Sequence, residues 1–476
     1  MKRVRMNRRS HLPGITAAIV FLTIGCAFCC PARGDARSAS QPTGELPAAS
    51  PGVVKMLTLE AVEPHGNTRT SLAVIERYLG LSPGARLDQE DLLEAVARLR
   101  ESGLFDAVDY FTRPGRTRGA LVLVLEVEER GPDLRLGTGN SDLDGWYLIP
   151  AALSLDNLTG RGEQAAVQLM IGYRMAGLTA HYRRGAAPGD RTFWGAEIRA
   201  FASERVYFED GVEYAHLVSR GGLSLHLGRR LGRGWSLSAA VQLETADADS
   251  TGTVWRDDDV SGVTQGDEVP FAELPEGIAA GVGERERTIW HTDLVLDTRS
   301  PERRAGSPAA GLWGRLRLGY TLQKEGDFPS GRCDLRAYRS LGSGVLGLHG
   351  RAAYVGAEAP FYDRLYLGGL YTVRGFPSQS LSAPSGDEWL CQGSAEYRAP
   401  LLGDAARPRL VGLLFVDAGR SGEPGGPSGR VAVGAGWGFR VRLGWLGYLG
   451  TDFAVPLSTS PVDESFHGHV SLGWSF

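Results

Sequence analysis

From residue 133 to residue 476 the chain shows no helix-period segment, only about sixteen stretches of roughly 8–14 residues in which side-chain character alternates with a period of two. In one of the clearest, Leu312, Leu316, Leu318 and Tyr320 alternate with Trp313, Arg315, Arg317 and Thr321. In another, Val431, Val433, Ala435, Trp437, Phe439 and Val441 share one face, and Ala432, Gly434, Gly436, Gly438 and Arg440 share the other. A soluble sandwich buries its apolar face against a second sheet. Here arginines, aromatics and glycines share the opposite face, which suits a polar lumen, and the stretches are long enough to cross a bilayer when tilted. The alternation therefore predicts a 16-stranded transmembrane antiparallel β-barrel over 133–476. Short turns, such as 157–162 and 229–235, fall at one end, and the long loops 246–285 and 357–388 at the other.

Composition is consistent with this. The 51 Lys+Arg and 55 Asp+Glu give a net charge of −4, which argues against nucleic acid as a partner. Gly, at 65 residues, is about twice its usual share. Lys2, Arg3, Arg5, Arg8 and Arg9 precede an apolar run from Ile15 to Cys29. This pattern is an export signal over 1–32, followed by an Ala/Ser/Pro/Gly linker over 33–52. A lipidated Cys26 is a lesser alternative to ordinary cleavage. Of the five cysteines, Cys333 and Cys391 lie outside the signal, on strands two apart. At ~4.8 Å per strand their Cα atoms stand about 10 Å apart, beyond the reach of a disulfide.

Residues 53–131 read as a separate small domain. An alternating strand precedes a helix with Leu72, Val74, Ile75 and Leu79 on one face, for which Asn67–Thr70 supply capping residues. Ser82-Pro83-Gly84 breaks it. Asp88 caps a second helix bearing Leu92, Leu93, Val96 and Leu99, and two strands follow. The order is β-α-α-β-β, with the helices on one face of a three-stranded sheet. Gly66-Asn67, Pro83-Gly84, Leu99 with Ser102-Gly103-Leu104-Phe105, and the closing Leu125–Glu129 resemble a POTRA domain. That resemblance implies an exposed sheet edge able to pair with an extended client peptide.

One loop concentrates the candidate chemistry. Val373, Arg374, Gly375 and Phe376 lie in the long loop 357–388, which has the length to fold down into the lumen. Glu396 with Arg398, and Asp417 in Phe415–Gly419, take the lumen face of later strands. Arg374 is expected to pair with Asp417, with Glu396 close by, because a guanidinium presents a planar fork to a carboxylate. Gly375 allows the tight backbone and Phe376 packs on the wall. At the other extreme of the barrel, Val470, Leu472, Trp474 and Phe476 alternate with small or polar residues. Trp474 and Phe476 form an aromatic ending suited to a membrane interface. Gly137 and Gly139 in the first strand, with Gly473 in the last, predict a seam with few good cross-strand pairs.

These stretches, together with Asp297-Thr298-Arg299, resemble the signature of the outer-membrane protein assembly factor superfamily (BamA/TamA-like, a POTRA domain plus a bacterial surface antigen barrel). The likeness spans 54–476. It departs in having a single POTRA-like unit and no Pro-containing turn after Val441. The resemblance implies residence in the bacterial outer membrane with the POTRA domain in the periplasm. Its implied partners are unfolded outer-membrane or secreted client proteins, outer-membrane lipid, and accessory lipoproteins or chaperones. The function it implies is insertion of client strands through the barrel seam. The alternative is a two-partner-type translocation pore for a dedicated secreted protein, although residues 33–52 offer no plug helix. With no Gly-x-Ser-x-Gly and scattered histidines, the sequence points to no enzyme, cofactor or metal site.

Overall fold

The computed structural model describes residues 56–131, 133–137, 147–155, 157–172, 174–185, 190–257, 264–300, 303–424, 430–444, 447–459, 466–474 and 476. The predicted signal, the linker and Gly139 lie outside the described residues.

In the small domain β1 (Leu57–His65), α1 (Leu72–Leu79), β2 (Arg86–Leu87), α2 (Gln89–Glu101), β3 (Phe105–Pro114) and β4 (Ala120–Glu129) follow in sequence. The sheet order is β2-β1-β4-β3, so the sheet has four strands rather than the expected three. The extra strand is two residues long and pairs only Leu57 with Leu87 and Thr58 with Arg86, too short to show an alternation. The apolar faces of both helices close over the sheet, except that Leu72 and Leu93, expected on those faces, are exposed. Val74, Ile75, Leu79, Val96 and Leu99 pack with Leu59, Leu121, Leu123 and Leu125 in one core. Asp88 caps α2 as expected, its carboxylate accepting from the Asp91 amide at 2.9 Å while Asp91 accepts from the Asp88 amide at 3.0 Å. The start of α1 differs. Its N-cap is Ser71, which makes no side-chain cap bond. The polar stretch before it is used by Glu129 instead, whose carboxylate accepts from the Thr68 hydroxyl at 2.7 Å and the Arg69 amide at 3.0 Å.

The remaining strands form a closed ring. They are β5 (Asp133–Gly137), β6 (Tyr147–Ser154), β7 (Gln164–Gly172), β8 (Met175–Arg184), β9 (Thr192–Glu209), β10 (Val212–Gly232), β11 (Trp235–Ala248), β12 (Gly252–Asp257), β13 (Thr264–Val269) and β14 (Gly283–Asp297). After the two-residue pair β15 (Arg303–Arg304) and β16 (Ser307–Pro308) come β17 (Gly311–Gln323), β18 (Phe328–Leu341), β19 (Gly344–Val355), β20 (Trp389–Gly403), β21 (Pro408–Gly422), β22 (Ala432–Arg442), β23 (Tyr448–Pro456) and β24 (His467–Leu472). Neighbours pair antiparallel, and β24 closes against β5. The loop expected to be a plain outer loop, 246–285, contains the hairpin β12/β13. It rises on top of the wall, because β11 already pairs directly with β14 from Trp235↔Leu296 to Ala248↔Gly283. Outside, Leu312, Leu316, Leu318, Trp437 and Val441 are exposed, as the wall of a barrel facing lipid requires. No described helix is long and apolar enough to cross a membrane. Cys333 and Cys391 each sit opposite Ala352, on either side of it, and both are free.

The small domain is seated on the β6–β7 and β8–β9 turns of the barrel. Asn157 donates to the Thr70 hydroxyl at 2.6 Å, the Ser71 amide to the Gly160 carbonyl at 3.0 Å, and Arg77 to Asp190 at 2.9 Å.

Candidate functional site: an arginine loop clamped inside the barrel

The loop between β19 and β20 is anchored at two heights. At its root, Phe361 and Tyr362 enter an apolar cluster with Tyr207, Val218, Val254 and Ile278, which joins the loop to the β12/β13 hairpin. Arg205 and Arg220 both donate to the Tyr362 carbonyl, at 2.8 and 2.6 Å. A bridge between Leu365 and Asp387 then narrows the loop's neck. Below it, Val373 and Phe376 are fully buried against Leu367 of the loop itself and against Leu390 and Ala432 of the inner wall.

At the tip the structure brings Arg374 against Asp417. Its Nε donates to Asp417 Oδ2 at 2.7 Å and its Nη2 to Oδ1 at 2.9 Å, while the Arg374 amide adds a third bond at 3.1 Å. The Ser394 hydroxyl completes the acceptor, donating to Oδ1 at 2.6 Å. Arg374 Nη1 lies 2.7 Å from Glu396 and 3.2 Å from Asp452. The guanidinium lies 3.4 Å from the centre of the Phe415 ring. Arg398 and Arg440 extend the set, the first donating to Glu396 at 2.9 and 2.8 Å, the second to Asp452 at 2.6 and 2.9 Å. Three arginines and three carboxylates therefore balance. All six side chains are buried to 1% exposure or less. A buried ion is stable only when charge and hydrogen-bonding capacity are both met, and here every member of the cluster meets an opposite charge.

Glycine makes room for this approach on both sides. Gly375, at φ +97°, runs along the Val455–Pro456 backbone. Opposite, a Cβ on Gly434 would stand 1.8 Å from the Arg374 carbonyl oxygen. The small face of β22, read from sequence as lumen lining, is thus the floor on which the loop rests.

Asp452 and Arg440 are the members that sequence reasoning did not assign to the site. Both lie on the small-residue face of an alternating strand, where a charge is already conspicuous. The missing information was register: Gly438 lies opposite Asp452, leaving its carboxylate the space it occupies.

The aromatic ending corrects a second expectation. Val470 faces outward, fully in keeping with the alternation, but Gly473 adopts φ +99° and turns the chain. Trp474 and Phe476 consequently point into the barrel rather than to a membrane interface. Phe476 packs with Tyr338 and Val345 and stacks on His349 at 5.0 Å, and Arg398 lies between the two aromatic rings at 4.6 and 4.7 Å. Arg398 also donates to the Phe476 main-chain oxygen at 3.1 Å. Of the seam glycines, Gly137 ends β5 and Gly473 makes this turn. Among the described residues no group of three or more His, Cys, Asp or Glu is placed to hold a metal ion.

A closed barrel carrying a β-α-β-α-β-β domain before its first strand, with an arginine loop clamped in its lumen, defines an architecture of outer-membrane-type β-barrels. The chain belongs to the Omp85 superfamily. Residues 157–476 match the Omp85 superfamily domain, and residues 57–130 match the POTRA model described as a surface antigen variable number repeat. Among solved structures it is similar to BamA from Haemophilus ducreyi lacking POTRA domains 1–3, at 17% identity and a TM-score of 0.62, covering 87% of this chain and 84% of that one. It is also similar to CdiB from Acinetobacter baumannii (15% identity, TM-score 0.55, 87% and 73% covered). CdiB from Escherichia coli matches at 14% identity and a TM-score of 0.53, with 88% and 76% covered. Among curated proteins none matches this chain.

Proposed function

We propose that this protein is an outer-membrane protein assembly factor. It receives client strands at its POTRA domain, in the periplasm, and releases them into the bilayer through the seam between β24 and β5. The observation that carries this reading is the buried clamp at Arg374. A client passing down the lumen must first pull a guanidinium away from three carboxylates, and removing one partner from such a set typically costs ~3–5 kcal/mol. A client pairing at the seam leaves the clamp intact. Seam pairing replaces one strand's main-chain hydrogen bonds with another's, so it needs no chemical energy source. The free edge of β3 in the small domain offers unpaired main-chain groups with which an extended client strand can pair.

A translocation pore for one dedicated secreted partner is the second reading. The open lumen beside the loop, a cavity of about 830 Å³, favours it. Conditional depletion with quantitative profiling of outer-membrane and secreted proteins separates the two. Assembly predicts that many barrels fall together. Loss of a single secreted protein, with all barrels steady, would establish the pore and sink the assembly reading.

A further inference from the structure

Three arginines mark the outer wall of the barrel at the end that carries the small domain: Arg184, Arg229 and Arg233. In β10, Leu227 and Leu231 keep 64% and 56% of their surface exposed, so Arg229 between them points to the same lipid-facing side. Across the pairing, Trp194 of β9 lies opposite Leu227 and Thr192 opposite Arg229. On the far side of β9, Arg184 lies opposite Trp194. Arg229 and Arg184 therefore flank β9 on the outside. They are two strands and two residues apart, on the order of 12 Å between Cα atoms, a span that two arginine side chains can close around one headgroup. Arg233 stands at the tip of the next turn. Gly232 pairs with Trp235, which leaves Arg233 and Gly234 as a two-residue hairpin loop with φ of +51° and +83°. Two positive φ values make a type I′ turn, whose first position favours asparagine or glycine. An arginine there is held against its conformational preference, with its side chain exposed.

Among the described residues none of the three pairs with a carboxylate, and the acids of the neighbouring turns, Asp190 and Asp297, are bonded to Arg77 and Arg299. Trp194 and Trp235 are exposed beside them, and indole rings at a barrel's edge sit at headgroup depth. Farther along the same face, Leu225 and Ile198 are exposed as well, a wall for acyl chains. Unopposed cations at headgroup depth complement anionic lipid, and a guanidinium fork fits the paired oxygens of a phosphate. We propose that the outer face of β8–β11 binds an anionic phospholipid by its headgroup phosphate, in the leaflet nearest the small domain. The site is separated from the seam by β5, β6 and β7, and holds whether clients leave by the seam or by the lumen.

The test is native mass spectrometry of the full chain in detergent, titrated with dioleoyl phosphatidylglycerol or dioleoyl phosphatidylcholine. The two lipids share their chains and their phosphate and differ in net charge. The anionic lipid should be retained about tenfold more tightly or better. Arg184→Gln with Arg229→Gln should cut that retention about tenfold or more, and heat-modifiable gel migration reports whether the variant forms its barrel. Arg233→Asn puts the residue this turn favours in place of arginine, so folding is not at risk. It should weaken retention of the anionic lipid roughly fivefold while unfolding no more easily in urea, and it decides alone if the double variant does not fold. Glycerol phosphate, the headgroup chemistry without chains, should not displace the lipid. The proposal is overturned if the unmodified chain holds both lipids equally or if the arginine variants keep its preference. Displacement of the lipid by glycerol phosphate would also overturn it, in favour of a free-phosphate site.

Discussion

Arg374 and Arg398 share Glu396, one on each carboxylate oxygen. Arg374 Nη1 stands 2.7 Å from Oε1, and Arg398 Nη2 donates to Oε2 at 2.8 Å. The first arginine belongs to the descending loop and the second holds the inturned aromatic ending. One side chain therefore joins the plug to the strand that closes the seam.

Replacing Glu396 with Gln strands part of the charge on both arginines at once. The variant should lose about 3 kcal/mol or more of barrel stability, within the range for breaking buried pairs. Arg374→Ala should lose a similar amount by exposing three carboxylates to each other. Arg374→Lys should recover part of it, since an ammonium keeps the charge but not the fork. Urea denaturation of the refolded barrel in detergent measures all three. Equal stability of Arg374→Ala and the unmodified chain would show that the clamp contributes nothing.

Gly434→Ala tests the floor beneath the loop. Its Cβ has no space while the Arg374 carbonyl is where it is, so the loop must rise or β22 must bend. Exogenous protease should then cut within 357–388 faster than in the unmodified protein. Gly468→Ala, in the next strand but one, meets nothing within 4 Å and serves as the control. Identical cleavage in the two variants would refute the close fit.

Phe476→Ala removes a buried ring from Tyr338, Val345 and His349 across the lumen. Truncating a buried Phe costs ~3–5 kcal/mol, and here the loss should be felt as easier opening at β24. Hydrogen exchange of the β24 amides should quicken while exchange in β9 and β10, which Phe476 does not touch, stays unchanged. Uniform acceleration round the ring would mean that Phe476 holds the whole barrel rather than the seam.

Glu129 carries a pH dependence in the POTRA domain. Burial alone would raise its pKa, but bonds from the Thr70 hydroxyl and amide, the Thr68 hydroxyl and the Arg69 amide outweigh that and hold it at about 2, against an ordinary 4.5. A depressed folded value means the stabilisation is complete above the unfolded value and is lost as pH falls through the folded one. The segment 68–70, which also meets the barrel at Asn157, should therefore loosen between about pH 4.5 and 2. Its amide exchange, corrected for intrinsic rate, reports this. In Glu129→Gln the dependence should vanish; a dependence that survives would assign it elsewhere.

The alternation of residues 133–476 determined the barrel, because period two is a local property that every strand repeats. Arg374 with its lumen acids was legible for a related reason: a charged tip in a long loop, and acids on the inner face of nearby strands, leave few other partners. Helix α2 was equally local, since Asp88 and Asp91 cap it within four residues of each other. What sequence did not decide was whatever depends on which residues meet across strands. Asp452 joined the clamp through its register with Gly438, and β2 exists only because β1 offers it an edge. The hairpin β12/β13 emerged from a loop whose pairing partner was not adjacent in pattern. Trp474 and Phe476 turned inward because Gly473 adopts a backbone conformation that alternation alone cannot reveal, and because Arg398, 76 residues from Trp474, waits there to receive them. Periodicity is written in each segment, whereas register and close approach belong to pairs of segments and appear only once the ring has closed.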